Sequence, residues 1–542
     1  MNSIPWRAAH WQGARDVVLA VAGVTFFTLA AAAQVAPQEK FVSGPLHVAT
    51  QLPLALREQN FTWTGSVTSQ GDAVLGGPLA RSSFGVSGSG IKVGIISDSF
   101  NFLGGQAAGI ASGDLPGPGN PGGLLTPVNI VSDEFFPGNL DEGRAIAEIV
   151  HDLAPGAEIL FHSAFNNPQS SPGGSIAAAI NSLVAAGANV IIDDVFSVGA
   201  PAYQDGVAAQ AVNNAFASGV AYFSSAGNNF NNAYEGIYSP LGFNHNFDAN
   251  FNEGSDLLLN FGSIPDGGSV VAGLWWDDPY ASLGGAPTTD FDLGLYNFTD
   301  GVVEGGSIQD QFAGADPFEA FGFTNTSGAA KDYGLFVEHF AGDPNKLIKI
   351  QVFGRTIQDD DDTDSPTTGG HNSAVGALSV GAAPFFNPNV PESYTAHGPT
   401  TILYDAAGNR LVVPEIRNTP SLTGIDGGNT SFFFADSAVD ADTLPNFFGT
   451  SASAPHVAAI AALVLERAAQ LGQVLSPADL YDLLIHSTID VGAPGYDYVT
   501  GYGRLDAYLA VSAVIPEPGS MTLWLLAAVS SLRFRARSKR AD

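Results

Sequence analysis

Two hydrophobic rhythms alternate along the first half of the chain. "IKVGIIS" (Ile91–Ser97), "AEILFHSAF", "NVIIDDVF" and "VAYFSSAGN" are short, apolar, β-branched or aromatic runs of strand length. Between them, "EGRAIAEIVHDL" sets Ile146, Ile149, Val150 and Leu153 along one helical face. "GGSIAAAINSLVAAGA" predicts an Ala-rich helix ending at Gly187, and "YQDGVAAQAVNNAFASG" predicts another. Strands alternating with helices imply an α/β fold: a parallel sheet with helices on both faces, here over 89–229. After about Phe230 the helical period vanishes. "SDLLLNFG", "SVVAGLWWDD", "FDLGLYNF" and "YGLFVEHF" predict an inserted β-sandwich over 230–358, with Asp290 and Asp292 as turn residues. Asp359–Asp362 reads as a solvated linker, and "HNSAVGALSVGAA" returns the chain to α/β sequence over 366–513.

The two ends follow neither rhythm. Arg7 and Arg15 precede an apolar run from Val17 to Ala30, then Ala31-Ala32-Ala33-Gln34, which reads as a secretory signal peptide over 1–33. Residues 34–88 carry no clean period and are a candidate propeptide remnant. At the other end, Pro516-Glu517-Pro518 precedes the apolar stretch Met521–Leu532 and the basic cluster Arg533, Arg535, Arg537, Lys539 and Arg540. That order, over 516–542, resembles the PEP-CTERM sorting signal of exported Gram-negative proteins. It implies export to the periplasm, cell surface or medium, with membrane contact only through this terminal segment.

Composition narrows the partners. Fifty-three acidic and 20 basic residues leave a net charge of −33. Such a surface repels nucleic acid and anionic lipid and favours solubility. Cysteine is absent, which excludes disulfides and thiol chemistry. No oligomeric state is legible.

The chemistry concentrates in "FFGTSASAPHVAAIAALVLE", where Gly449-Thr450-Ser451 heads a long Ala-rich helix with Pro455 read into its first turn. A serine there is exposed beside free backbone N–H groups able to hold an oxyanion. The stretch resembles the serine motif of subtilisin-like proteases, which implies Ser451 as nucleophile, His456 as a structural residue and polypeptides as substrates. "VGIISDS" and "YFSSAGNN" resemble the family's aspartate and oxyanion segments, implying Asp98 and Asn228 in those roles. The resemblance covers most of 90–230 and 366–510. Ca²⁺ as a structural ion is compatible with that fold, but no ligand set can be picked from the sequence.

One motif is broken. The family carries His-Gly on the helix leading to a Val-Ala-Pro-Gly turn; here Leu153-Ala154-Pro155-Gly156 follows a helix with Glu142-Gly143 at that place. Sedolisins, which share the fold, use Glu there with an Asp one turn later, where this chain has Ile146. Glu142 is thus the expected base. A close Asp98 would raise its pKa, and activity is expected to lean to acid pH. Asp193-Asp194 ends a buried strand, and Asp194 would orient Glu142 or contact substrate. His151, His162, His371 and His397 remain alternative bases. The expected function is an exported serine endopeptidase; the alternative is a catalytically inactive subtilase fold kept as a surface binding protein.

Overall fold

The computed structural model describes residues 65–134, 138–165, 173–247, 256–358 and 363–515. The segments read as signal peptide (1–33), linker (Asp359–Asp362) and sorting signal (516–542) lie outside the described residues.

Nine strands build the main sheet: β1 (Lys92–Ser97), β2 (Asn129–Ser132), β3 (Glu158–Ser163), β4 (Val190–Asp193), β5 (Ala221–Ser225), β6 (Ala377–Pro384), β7 (Leu422–Asp426), β8 (Thr488–Ile489) and β9 (Arg504–Leu505). Their order is β2-β3-β1-β4-β5-β6-β7-β9-β8, and every pair is parallel except β9–β8. The side-chain period of two divides each strand between two cores. Ile95, Phe161, Ile192, Phe223 and Val380 pack with helices α3 (Glu142–Leu153), α6 (Thr450–Gln470) and α8 (Ala507–Ala513). Their neighbours Ile96, Leu160, Ile191 and Tyr222 pack with α4 (Gly174–Ala185) and α5 (Val207–Ala217) on the other face. The expected α/β architecture is therefore present. Among the described residues no helix is long and apolar enough to cross a membrane.

Residues 65–85 form part of this body. Helix α1 (Gln70–Val74) is capped by Ser69, whose N–H donates to Asp152 on α3 at 2.8 Å and whose hydroxyl meets His456 Nε2 on α6 at 2.8 Å. On α2 (Gly77–Phe84), Arg81 grips Asp72 through two nitrogens and donates to the Leu153 carbonyl at the end of α3. The segment clamps the rear of the two helices that carry Glu142 and Ser451.

Between β5 and β6 the chain forms an antiparallel body from Ala233 to Phe353. One sheet runs Phe318–Thr324, Ser269–Trp276, Leu347–Phe353, Ala233–Ile237 in spatial order; the other is built around Thr289–Asn297 and Lys331–Gly342. Tyr234, Trp276, Phe291 and Leu335 fill the space between. Asp290 and Asp292 are strand residues, not turn residues: the 9-residue strand Thr289–Asn297 runs through both. Trp275 Nε1 donates to the Ala200 carbonyl at 2.9 Å and ties the insert to the parallel sheet.

Candidate active site

The site lies where open parallel sheets collect chemistry, beyond the carboxyl ends of adjacent strands. Asp98 follows β1, Asp194 follows β4 and Asn228 follows β5, three neighbours in the sheet. Glu142 is the first residue of α3 and Ser451 the second of α6. All five line one cleft.

Asp98 binds backbone. Its carboxylate accepts from Leu140 N at 2.5 Å and Glu142 N at 2.9 Å, and also from the amides of Ser99 and Gly143. Those of Leu140, Glu142 and Gly143 are orphan donors around the start of α3, so Asp98 sets that helix end in place. Burial raises its pKa against the pull of those four amides.

Gly143 lets α3 come this close. A Cβ there would lie 2.2 Å from Phe161 Cε2 and 2.8 Å from the Ser99 carbonyl oxygen. With α3 pressed onto β1 and β3, the Glu142 side chain enters the cleft beside Ser451 and Asp194, and both of those side chains act to lower its pKa. Burial, then the charge of Asp98, pushes Glu142 up to about 8. Burial and the charges of Glu142 and Asp98 hold Asp194 well above the carboxylate range. One oxygen of Asp194 accepts the Ser97 hydroxyl at 3.1 Å. The other is shut off from solvent and meets no N–H or hydroxyl donor. A proton held between the two carboxyls satisfies that oxygen, since two close carboxylates do not both ionise readily.

Asn228 lines the same cleft as the serine. Its Oδ1 accepts both the N–H and the hydroxyl of Thr450, each at 2.9 Å, which fixes the amide with Nδ2 outward. Gly449 caps α6 at φ 117°. A Cβ on it would stand 3.2 Å from Asn228 Nδ2 and 3.7 Å from Ser451 N, crowding the two donors that could hold an oxyanion. Pro455 is the sixth residue of α6, one turn deeper than its first-turn reading. It withholds the amide that would otherwise bond the Ser451 carbonyl.

No described histidine lines the cleft. His151, on the far side of α3, is lowered to about 4 by burial. His371 Nε2 pairs with Asp193 at 3.1 Å, so Asp193 serves the packing and only Asp194 reaches the site. His162 meets the Ser163 carbonyl, and His397 lies against Phe230 with ring centroids 4.4 Å apart. His456 is held between Ser69 and the Ala452 carbonyl. Asp436, Asp440 and Asp442 bring carboxylate oxygens within 4.8 Å of one another. Asp440 and Asp442 already accept loop hydrogen bonds from Gln70, Asn446, Asn429 and Leu444, and we assign no metal there.

The fold is subtilisin-like. The CspB protease of Clostridium perfringens superposes with a TM-score of 0.51, covering 82% of this chain and 98% of that one at 12% identity. Residues 349–503 match the subtilase family. Sixty-nine residues are 42% identical to the extracellular basic protease of Dichelobacter nodosus, a match over 13% of this chain and 11% of that protein's length. The family match contains Ser451 and stops short of Asp98, Glu142, Asp194 and Asn228.

Proposed function

We propose that the chain is a serine endopeptidase that hydrolyses peptide bonds through an acyl-enzyme on Ser451, with Glu142 as the base. The observation that carries the reading is the meeting of Glu142, Ser451 and Asn228 in one cleft, with the Ser451 side chain close enough to Glu142 to act on its charge. Glu142 takes the hydroxyl proton as Oγ attacks the scissile carbonyl. Asn228 Nδ2 and the Ser451 amide hold the oxyanion, and losing one such donor costs roughly 3 kcal/mol. Glu142 then gives its proton to the leaving amine, and later takes one from the water that cleaves the ester. Asp194 keeps a proton directed at Glu142, which steadies the carboxylate between transfers. Asp98 acts from behind, through the helix end and its charge.

Export is part of the proposal. It rests on the two terminal segments and on the extracellular relative. The test is cleavage of an unfolded protein, with fluorophosphonate labelling, for wild type, Ser451→Ala and Glu142→Gln. Wild type should label and cleave, Ser451→Ala should do neither, and Glu142→Gln should lose at least about a hundredfold in turnover. A Glu142→Gln variant with full activity would put the base elsewhere. Absence of both cleavage and labelling in wild type would favour the binding-protein alternative.

A further inference from the structure

The cleft around Ser451 is closed in part by the inserted β body. Val271 on Ser269–Trp276 and Phe353 on Leu347–Phe353 both line it. They are directly opposed partners on neighbouring antiparallel strands, so their side chains stand together on one face. The Phe353 ring packs against Phe196, from the segment after β4, at 5.8 Å between centroids and a 42° tilt. Phe196 follows Asp194 by two residues, which links the apolar wall to the catalytic carboxyls. Gln351, two residues before Phe353, donates to the Thr367 carbonyl at 3.2 Å and holds this strand against the parallel-sheet body. Val271, Phe353 and Phe196 are each only half-buried. Among the described residues, no charged side chain other than Asp98, Glu142 and Asp194 lines the cleft.

We propose that this wall receives the substrate side chain beside the scissile bond, that it selects large apolar residues, and that Val271 and Phe353 of the insert set the preference. The inference rests on the peptidase reading above. An apolar pocket gains from each methylene it covers, and a difference of one is worth about 10–200-fold between substrates. The lining holds acidic groups and no described basic side chain, which disfavours an acidic side chain in the same place. An insert without this role would leave the choice to the parallel-sheet body alone.

The experiment is cleavage-site profiling on a defined peptide pool, followed by kcat/KM on a matched pair of peptides with Phe or Ala beside the scissile bond. Wild type should favour Phe over Ala by at least about tenfold. Val271→Trp, which fills the pocket, should lower the Phe-to-Ala ratio by at least about tenfold, and Phe353→Ala should lower it too. The ratio does not depend on how much of a variant is folded. Ser451 that labels with fluorophosphonate while the profile is flat, or favours charged residues, overturns this inference and leaves the peptidase reading standing. An unchanged ratio in both variants does the same. No labelling and no cleavage by wild type overturns both.

Discussion

The Gly449 amide donates to Asp426 Oδ2 at 2.7 Å, so the last residue of β7 fixes the cap of the helix that carries the nucleophile. Tyr394 donates its hydroxyl to the same oxygen, and its own oxygen accepts from Gly449 N at 3.1 Å. Burial, then the charge of Glu392, holds Asp426 well above the carboxylate range. Asp426→Ala should lower kcat by about 10–100-fold with a smaller change in KM, because a displacement of about 1 Å at the reacting centre costs that much. Asp426→Asn, close to the neutral acid in shape and with an amide oxygen still able to accept, should recover most of the loss. Steady-state kinetics on the three proteins decides it.

The pH profile follows from the sign of the Glu142 shift. The base works only when ionised, and burial with the Asp98 charge raises its pKa from 4.5 to about 8. Falling pH therefore silences it earlier than an ordinary glutamate, and kcat/KM should rise with pH across the window from 4.5 to 8. The acid-leaning profile expected from sequence counts the charge of Asp98 alone, and burial moves the limb toward neutrality. Asp194 lowers the Glu142 pKa, so Asp194→Ala should move the limb to higher pH, while Asp194→Asn, which keeps a donor, should hold it near its place. A limb that stays put in Asp194→Ala would break the link between the two carboxyls.

Stability should fall on the alkaline side. Glu142 and Asp292 are raised to about 8, and Glu148, Glu319 and Glu392 to about 7, each with burial as the first cause. A carboxyl raised in the folded state contributes stability that is complete below its unfolded pKa and lost as pH climbs through the folded value. Buried His151, His245 and His456 are lowered to about 4. Their contribution is complete above 6.5 and lost as pH falls through 4. The two slopes oppose each other between about 4.5 and 6.5, and above 6.5 only the carboxyls act. Calorimetry should show Tm dropping by roughly 5 °C or more between pH 6.5 and 9.

Much of this was legible in the sequence, for physical reasons. Ile95 and Ile96, or Leu160 and Phe161, feed opposite cores, and a run apolar at every position is the mark of a strand buried on both faces. Ser451 stood out because a Gly-Thr-Ser before an Ala-rich run places a nucleophile on a helix end. The partner of Glu142 was harder to read. Asp98 and Asp194 both follow sheet strands, and the fold turns Asp98 to the backbone of α3 while Asp194 lies beside Glu142, the orienting place that the sequence had left open against substrate contact. The Asp426–Gly449 contact joins residues from two distant segments, and no local pattern announces it. Nor does any sequence period place Val271 and Phe353 at the cleft, because that depends on how the insert docks.

Residues 65–85 should be needed for stability. Arg81 neutralises the buried Asp72 through two bonds of 2.8 and 2.7 Å and donates to the Leu153 carbonyl at 2.9 Å. Arg81→Met strands a buried carboxylate, a loss of about 3–5 kcal/mol. Adding Asp72→Asn should return a substantial part of it. Denaturant unfolding of the single and double variants measures both.

Gly143→Ala tests how the base is placed. The added methyl meets Phe161 Cε2 at 2.2 Å and the Ser99 carbonyl oxygen at 2.8 Å, distances that force α3 off the sheet. Overpacking of this kind costs about 1–3 kcal/mol. The larger effect should fall on activity: Gly143 adjoins Glu142, and its amide is one of the four that bind Asp98. Lifting the first turn of α3 withdraws the Glu142 carboxyl from the Ser451 hydroxyl, and kcat/KM should drop about a hundredfold. Phe161→Leu in the same chain removes the ring contact but leaves the Ser99 carbonyl, so the double variant should recover activity only in part. Full recovery would mean that the ring alone sets the approach of α3. No loss in Gly143→Ala would mean that Glu142 does not need this helix position to act.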